Sequence, residues 1–132
     1  MTDGKILVID DSEPILGRVQ SALSAAGFDV VTTTRTVGNG RHLKTCDLVI
    51  IDYHMPGLAG SDVLQSLRSA SPDASSVFYL YTSDETVADR FEELGFDGSF
   101  THKGDMPQLV AQVKAAFRSI NLRRLSASKL KR

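Results

Sequence analysis

Lys5-Ile-Leu-Val-Ile-Asp10-Asp-Ser12 and Asp47-Leu-Val-Ile-Ile-Asp52 decide how this chain folds. Each is a short, unbroken apolar run closing on acid, the pattern of a strand buried within a sheet rather than lying on its surface. Val77-Phe-Tyr-Leu-Tyr leads in the same way to Thr82, and Gly98-Ser-Phe-Thr-His to Lys103. If these runs are neighbouring parallel strands, their carboxyl ends gather Asp10, Asp11, Asp52, Thr82 and Lys103 at one edge. Ligands of open parallel sheets bind at that edge.

The segments between the runs supply helices. Pro14 to Ala26 carries Ile15, Leu16, Val19, Ala22 and Leu23 at helical spacing, with Pro14 suited to a first turn. Gly27 stands where a left-handed cap is wanted, and Phe28 to Thr33 reads as a second strand. Residues 35 to 45 contain Gly38 and Gly40, each costing a helix about 1 kcal/mol relative to alanine, so a short or irregular element is expected there. A helix follows at 61 to 69, with Ser61 as its expected N-cap. Another is expected at 86 to 94, capped by Gly95, and a last one at 106 to 119. Five strands, at 5–10, 28–33, 47–52, 77–82 and 98–103, alternate with these helices. That alternation predicts an α/β doubly wound sheet with right-handed crossovers.

Composition agrees with one domain. The 132 residues are 42% hydrophobic and 23% charged, enough for a core without disulfides or structural metal. Cys46 is the single cysteine, so no intrachain disulfide can form and no zinc cluster is available. It reads as a small packed hydrophobe. With no targeting signal and no apolar stretch of membrane-spanning length, a cytoplasmic protein without membrane insertion is expected. The net charge of −1 hides an asymmetry. Residues 1–117 hold nine Lys and Arg against all sixteen Asp and Glu, while 118–132 hold six against none. The expected organisation is a domain over 4–119 followed by a basic tail over 120–132. Without a recognition helix such a tail gives only salt-sensitive, sequence-independent affinity for nucleic acid, so no specific DNA binding is expected.

Three crowded carboxylates repel, so either one is protonated or a hard cation enters. Asp10, Asp11 and Asp52 therefore invite Mg2+, completed by phosphate oxygens. A carboxylate can itself attack phosphorus, and Asp52 ends the expected central strand. Lys103 and Thr82 are a charge and a donor suited to phosphoryl oxygens.

On Val8-Ile-Asp-Asp-Ser12, Asp52-Tyr-His-Met-Pro-Gly-Leu-Ala-Gly60, Tyr81-Thr-Ser83 and Phe100-Thr-His-Lys103, residues 4 to 118 resemble the receiver domains of two-component response regulators. The resemblance implies a flavodoxin-like sheet of strand order 2-1-3-4-5. It implies Asp52 as phosphoacceptor from a sensor histidine kinase or a histidine phosphotransfer protein. Asp10 or Asp11, Asp52 and the His54 carbonyl would hold Mg2+, and Thr82 and Phe100 would form a switch pair. A downstream protein target would read the fourth helix, fifth strand and fifth helix, in a monomer or a phosphorylation-dependent dimer. The expected form is a stand-alone receiver, since nothing after residue 119 resembles an output domain. Two positions depart from the family pattern. Gly104 follows the lysine where proline is usual, often across a cis peptide, and a more mobile loop is expected there. Tyr79 and Tyr81 replace small aliphatic residues; as buried phenols they need hydrogen-bond partners and would restrict the Thr82 switch.

Against these stand plainer readings. Asp10 and Asp11 suit a helix N-terminus, Lys103 a surface, Phe100 a core, and the three histidines lack ligand spacing. The alternative function is a pseudo-receiver scaffold acting through phosphorylation-independent contacts. A phosphohydrolase is disfavoured, because His54 stands where a second acid would act and no cap domain is present.

Overall fold

The computed structural model describes residues 4–55 and 57–130. Pro56, at the centre of the Met55-Pro-Gly57 motif, and the last two residues of the basic segment lie outside the described residues. Five parallel strands form the main sheet: β1 (Lys5–Ile9), β2 (Asp29–Thr33), β3 (Leu48–Asp52), β6 (Val77–Tyr81) and β7 (Gly98–Phe100). Their order is β2-β1-β3-β6-β7, which is 2-1-3-4-5 when the sheet's own strands are counted in chain order. Two short strands absent from the sequence reading, β4 (His54–Met55) and β5 (Leu58–Ala59), pair antiparallel just after β3.

Side chains of successive strand residues point to opposite faces, and this sorts the core into two. Ile6, Val8, Leu48, Ile50, Tyr81 and Phe100 pack with α1 (Glu13–Ala25) and α4 (Met106–Leu130). Leu7, Ile9, Val49, Ile51, Phe78 and Leu80 pack with α2 (Gly60–Ala70) and the 40–44 segment. The register pairs Ile6 with Leu48 and Ile9 with Ile51, which brings Asp10 and Asp52 side by side one step further on.

Helix ends follow local chemistry, sometimes by other residues than expected. Ser12 caps α1, its hydroxyl accepting from Ile15 N–H at 3.4 Å. Gly27 takes φ +102°, and Phe28 N–H reaches back to the Leu23 carbonyl, closing the helix as a Schellman turn. Residues 40–44 form one 3-10 turn, the irregular element that Gly38 and Gly40 lead one to expect. Ser61, by contrast, is not the cap of α2: Ala59 holds that position, and the Asp62 carboxylate accepts from Ala59 N–H at 3.3 Å. The helix expected at 86–94 is shortened to α3 (Glu85–Asp89), capped by Asp84, and tight turns carry the chain to Gly95. Asp89, Glu92 and Glu93 would all oppose the negative end of a longer helix dipole.

The last helix runs on beyond residue 119. Ile120 is buried in the core, and Arg124 pairs with Asp47 at 2.8 Å. Among the described residues no helix is long and apolar enough to cross a membrane. Burial pushes the Cys46 thiol up to about 11, consistent with a packed, unreactive side chain.

Two glycines make opposite predictions. A Cβ on Gly60 would lie 2.6 Å from the Asp52 carbonyl oxygen, whereas one on Gly17, in the middle of α1, would meet nothing within 4 Å. Gly60→Ala should therefore destabilise the fold by about 1–3 kcal/mol through overpacking. Gly17→Ala should stabilise it by up to about 1 kcal/mol through helix propensity. Denaturant midpoints of the two variants against wild type check both signs.

Candidate functional site

The carboxyl ends of β1 and β3 deliver two acids that are almost wholly buried, Asp10 at 1% and Asp52 at 3% exposure. Each is pinned by the backbone that follows it. Ser12 N–H donates to Asp10 Oδ1 at 2.9 Å, and His54 N–H donates to Asp52 Oδ1 at 3.3 Å. Lys103 reaches over from beyond β7 and places its ammonium 2.8 Å from Asp10 Oδ2 and 2.6 Å from Asp52 Oδ1. Asp11 is exposed at the rim, yet it too can bring a carboxylate oxygen within 4.8 Å of those of Asp10 and Asp52. Three hard oxygen donors at that spacing could hold a metal ion, and their chemistry suits a hard divalent cation.

Burial is the main influence on Asp52. It raises the carboxyl above its ordinary 3.8; Lys103 opposes the rise and Asp10 adds to it. For Lys103, burial alone would favour the neutral amine, but the hydrogen bonds and charges of Asp10 and Asp52 more than offset it and raise its pKa. The ammonium is thus held charged between two acids, and Asp52 has only a share of it.

The remaining predicted residues surround this pair at different distances. Thr82 is buried at the end of β6, but its hydroxyl accepts from Asp84 N–H at 3.0 Å, and among the described residues no hydrogen bond joins it to Asp52 or Lys103. Thr82 N–H donates to the Phe100 carbonyl at 3.2 Å, so the expected switch pair is tied through the backbone. The Phe100 ring is already buried and stacks on Tyr79 with centroids 4.5 Å apart. Gly98 makes room for that Tyr79 ring, since a Cβ there would fall 2.5 Å from it. The His54 side chain stands exposed at the rim, its Nε2 4.0 Å from Asp84.

Gln112 and Arg18 were missed in the sequence, and Tyr81, whose phenol was expected to need a partner, finds one that was not foreseen. Gln112 of α4 binds both sides of the Thr101 backbone, accepting from its N–H at 3.0 Å and donating to its carbonyl at 3.2 Å. This ends β7 at Phe100 rather than at Lys103, and His102 then turns into the left-handed region at φ +57°. Arg18 and Tyr81 bind Gly104, the carbonyl and N–H respectively. The loop expected to be more mobile is thus tied at Gly104 on both sides. None of these three bonds has a local signal; each joins residues distant in sequence.

The family model for the response regulator receiver domain matches residues 6–114. This chain belongs to that family. It is 32% identical over 124 residues to a probable transcriptional regulator, ycf27, of Guillardia theta, covering 91% of this chain and 48% of that protein. It is 29% identical to the transcriptional regulatory protein PrrA of Mycobacterium tuberculosis, covering 89% and 52%. The receiver domain therefore spans about half the length of these curated relatives. Among solved structures, the chemotaxis protein CheY4 of Vibrio cholerae superposes with a TM-score of 0.72 at 21% identity, over 85% of this chain and 97% of that one. That likeness confirms the flavodoxin-like fold.

The raised Asp52 pKa carries a sign that can be tested. The fold favours the protonated acid, and that stabilisation is full below 3.8 and lost as pH rises through the raised value. At neutral pH the ionised Asp52 is a net cost. Asp52→Asn, which removes that ionised cost, should raise the melting temperature at pH 7. The gain should shrink as pH falls toward 3.8, which calorimetry across that range would show.

Proposed function

We propose that this receiver domain is a phosphoacceptor in which the Asp52 carboxylate takes a phosphoryl group from a phosphohistidine. The observation that carries this is the buried Asp52 carboxylate lying 2.6 Å from an ammonium that Asp10 also engages. An Asp52 oxygen attacks phosphorus, the bond from phosphorus to the imidazole nitrogen breaks, and the imidazole leaves with its electron pair and takes up a proton. The product is an acyl phosphate on the protein. Lys103 would turn from the carboxylates to a phosphoryl oxygen, keeping a charge-assisted hydrogen bond throughout. Asp10, Asp11, Asp52 and the His54 carbonyl are the groups that would hold magnesium, whose chemistry there is to neutralise phosphoryl oxygens.

Release of the Thr82 hydroxyl from Asp84 N–H toward the phosphoryl group would pull on the backbone it shares with Phe100. The face formed by α3, β7 and α4 is the surface a downstream protein would read. The donor is a sensor histidine kinase or a histidine phosphotransfer protein, and the domain is a switch whose only chemistry is its own phosphorylation and dephosphorylation. Support comes from the family membership and from the convergence of the acids with Lys103.

Incubation with a small acyl phosphate and Mg2+ should add the mass of one phosphoryl group to the intact wild-type protein and none to Asp52→Asn. No adduct on wild type, under conditions that label another receiver, sinks the reading and leaves the scaffold alternative. Label persisting on Asp52→Asn reassigns the nucleophile.

A further inference from the structure

Gly104, the residue after the site lysine, is gripped from two elements. Its N–H donates to the Tyr81 phenol at 3.0 Å, and its carbonyl accepts from the Arg18 guanidinium of α1 at 2.7 Å. Tyr81 is buried at 1% exposure at the end of β6, and the Lys103 ammonium sits 5.8 Å from the centroid of its ring. One side chain thus meets both the lysine head and the peptide that carries it.

The fit between Tyr81 and Gly104 is mutual. A buried phenol needs a hydrogen-bond partner, and the Gly104 N–H supplies it. Proline at 104 would have no N–H to give and a φ near −65°, whereas Gly104 stands at +100°. Where the family pattern would use the stiffness of a proline ring, this chain uses a side-chain bond. Upstream, Gln112 fixes Thr101 in the same manner, so Lys103 is suspended between two fastened peptides.

We infer that Tyr81 is a positioning residue for Lys103: its phenol, together with Arg18, holds the Gly104 peptide and thereby sets the direction from which the ammonium reaches Asp52. This rests on the reading of Asp52 as phosphoacceptor and adds to it a residue that the family pattern does not supply.

Tyr81→Phe deletes only the hydroxyl and keeps the ring. Ser76→Ala serves as the control for a plain loss of stability, because the Ser76 hydroxyl binds the Leu43 and Cys46 carbonyls at the opposite end of the sheet. In Tyr81→Phe the Gly104 amide should exchange its hydrogen about fivefold faster, and labelling by a small acyl phosphate with Mg2+ should slow about fivefold, the equivalent of ~1 kcal/mol for one hydrogen bond. Ser76→Ala should lower the melting temperature yet leave both rates within about twofold of wild type. Labelling of Tyr81→Phe at the wild-type rate overturns the inference, as does equal slowing in Ser76→Ala. If wild type takes no label, the phosphoacceptor reading falls by itself. The Tyr81 role is then decided on the Gly104 amide and the Lys103 Nζ resonance: it stands if both change in Tyr81→Phe and falls if either does not.

Discussion

Two carboxylates brought to the ends of adjacent central strands repel each other unless a cation lies between them, and Lys103 is that cation here. Its ammonium touches Asp10 and Asp52 at once, and both acids are nearly closed off from water. Coulombic attraction in such surroundings is several times what it is at a surface, and so is the cost of charge left unpaired. The position of Lys103 is therefore a condition for the ends of β1 and β3 to lie as they do. Because the lysine comes from beyond β7, the far edge of the sheet is tied to its centre.

The acids were legible because strand ends can be read from apolar runs, and an acid at such an end has little choice of direction. Asp10, Asp52 and Lys103 met at the sheet edge their runs pointed to, although β7 stops at Phe100, and the strand order is the one the family resemblance implied. Local signals were weaker where two choices compete. Ser61 looks like a cap, but Asp62, one residue on, binds the Ala59 N–H instead. The β4 and β5 strands are two residues each and leave no periodicity to read. The shortening of α3 reflects acids at its far end, a signal present in the sequence but outweighed there by the apolar spacing. The bonds of Gln112, Arg18 and Tyr81 were invisible for a different reason. Their partners are backbone groups 11, 86 and 23 residues away, and no local pattern marks a side chain that will bind a distant peptide.

The two departures from the family pattern, read separately, each suggested a weakness. Together in space they are one device, since the phenol needing a partner and the glycine lacking a ring's stiffness are hydrogen-bonded to each other. Tyr79, on the same face two residues earlier, is accommodated differently: its ring lies over Gly98 and stacks on Phe100.

Strands β1 and β3 are packed on both faces, and a slip of one residue would turn every side chain to the wrong layer. The frame carrying Asp10 and Asp52 thus has one setting and cannot be adjusted by degrees. Lys103, Gly104 and His54, in contrast, stand on the segments after the strands, where a substitution alters reach or direction without repacking the interior. Durability and aim are for that reason largely separable in this domain: the sheet decides whether it folds, the loops decide where the ammonium points, and Tyr81, in β6 yet bonded to Gly104, belongs to both.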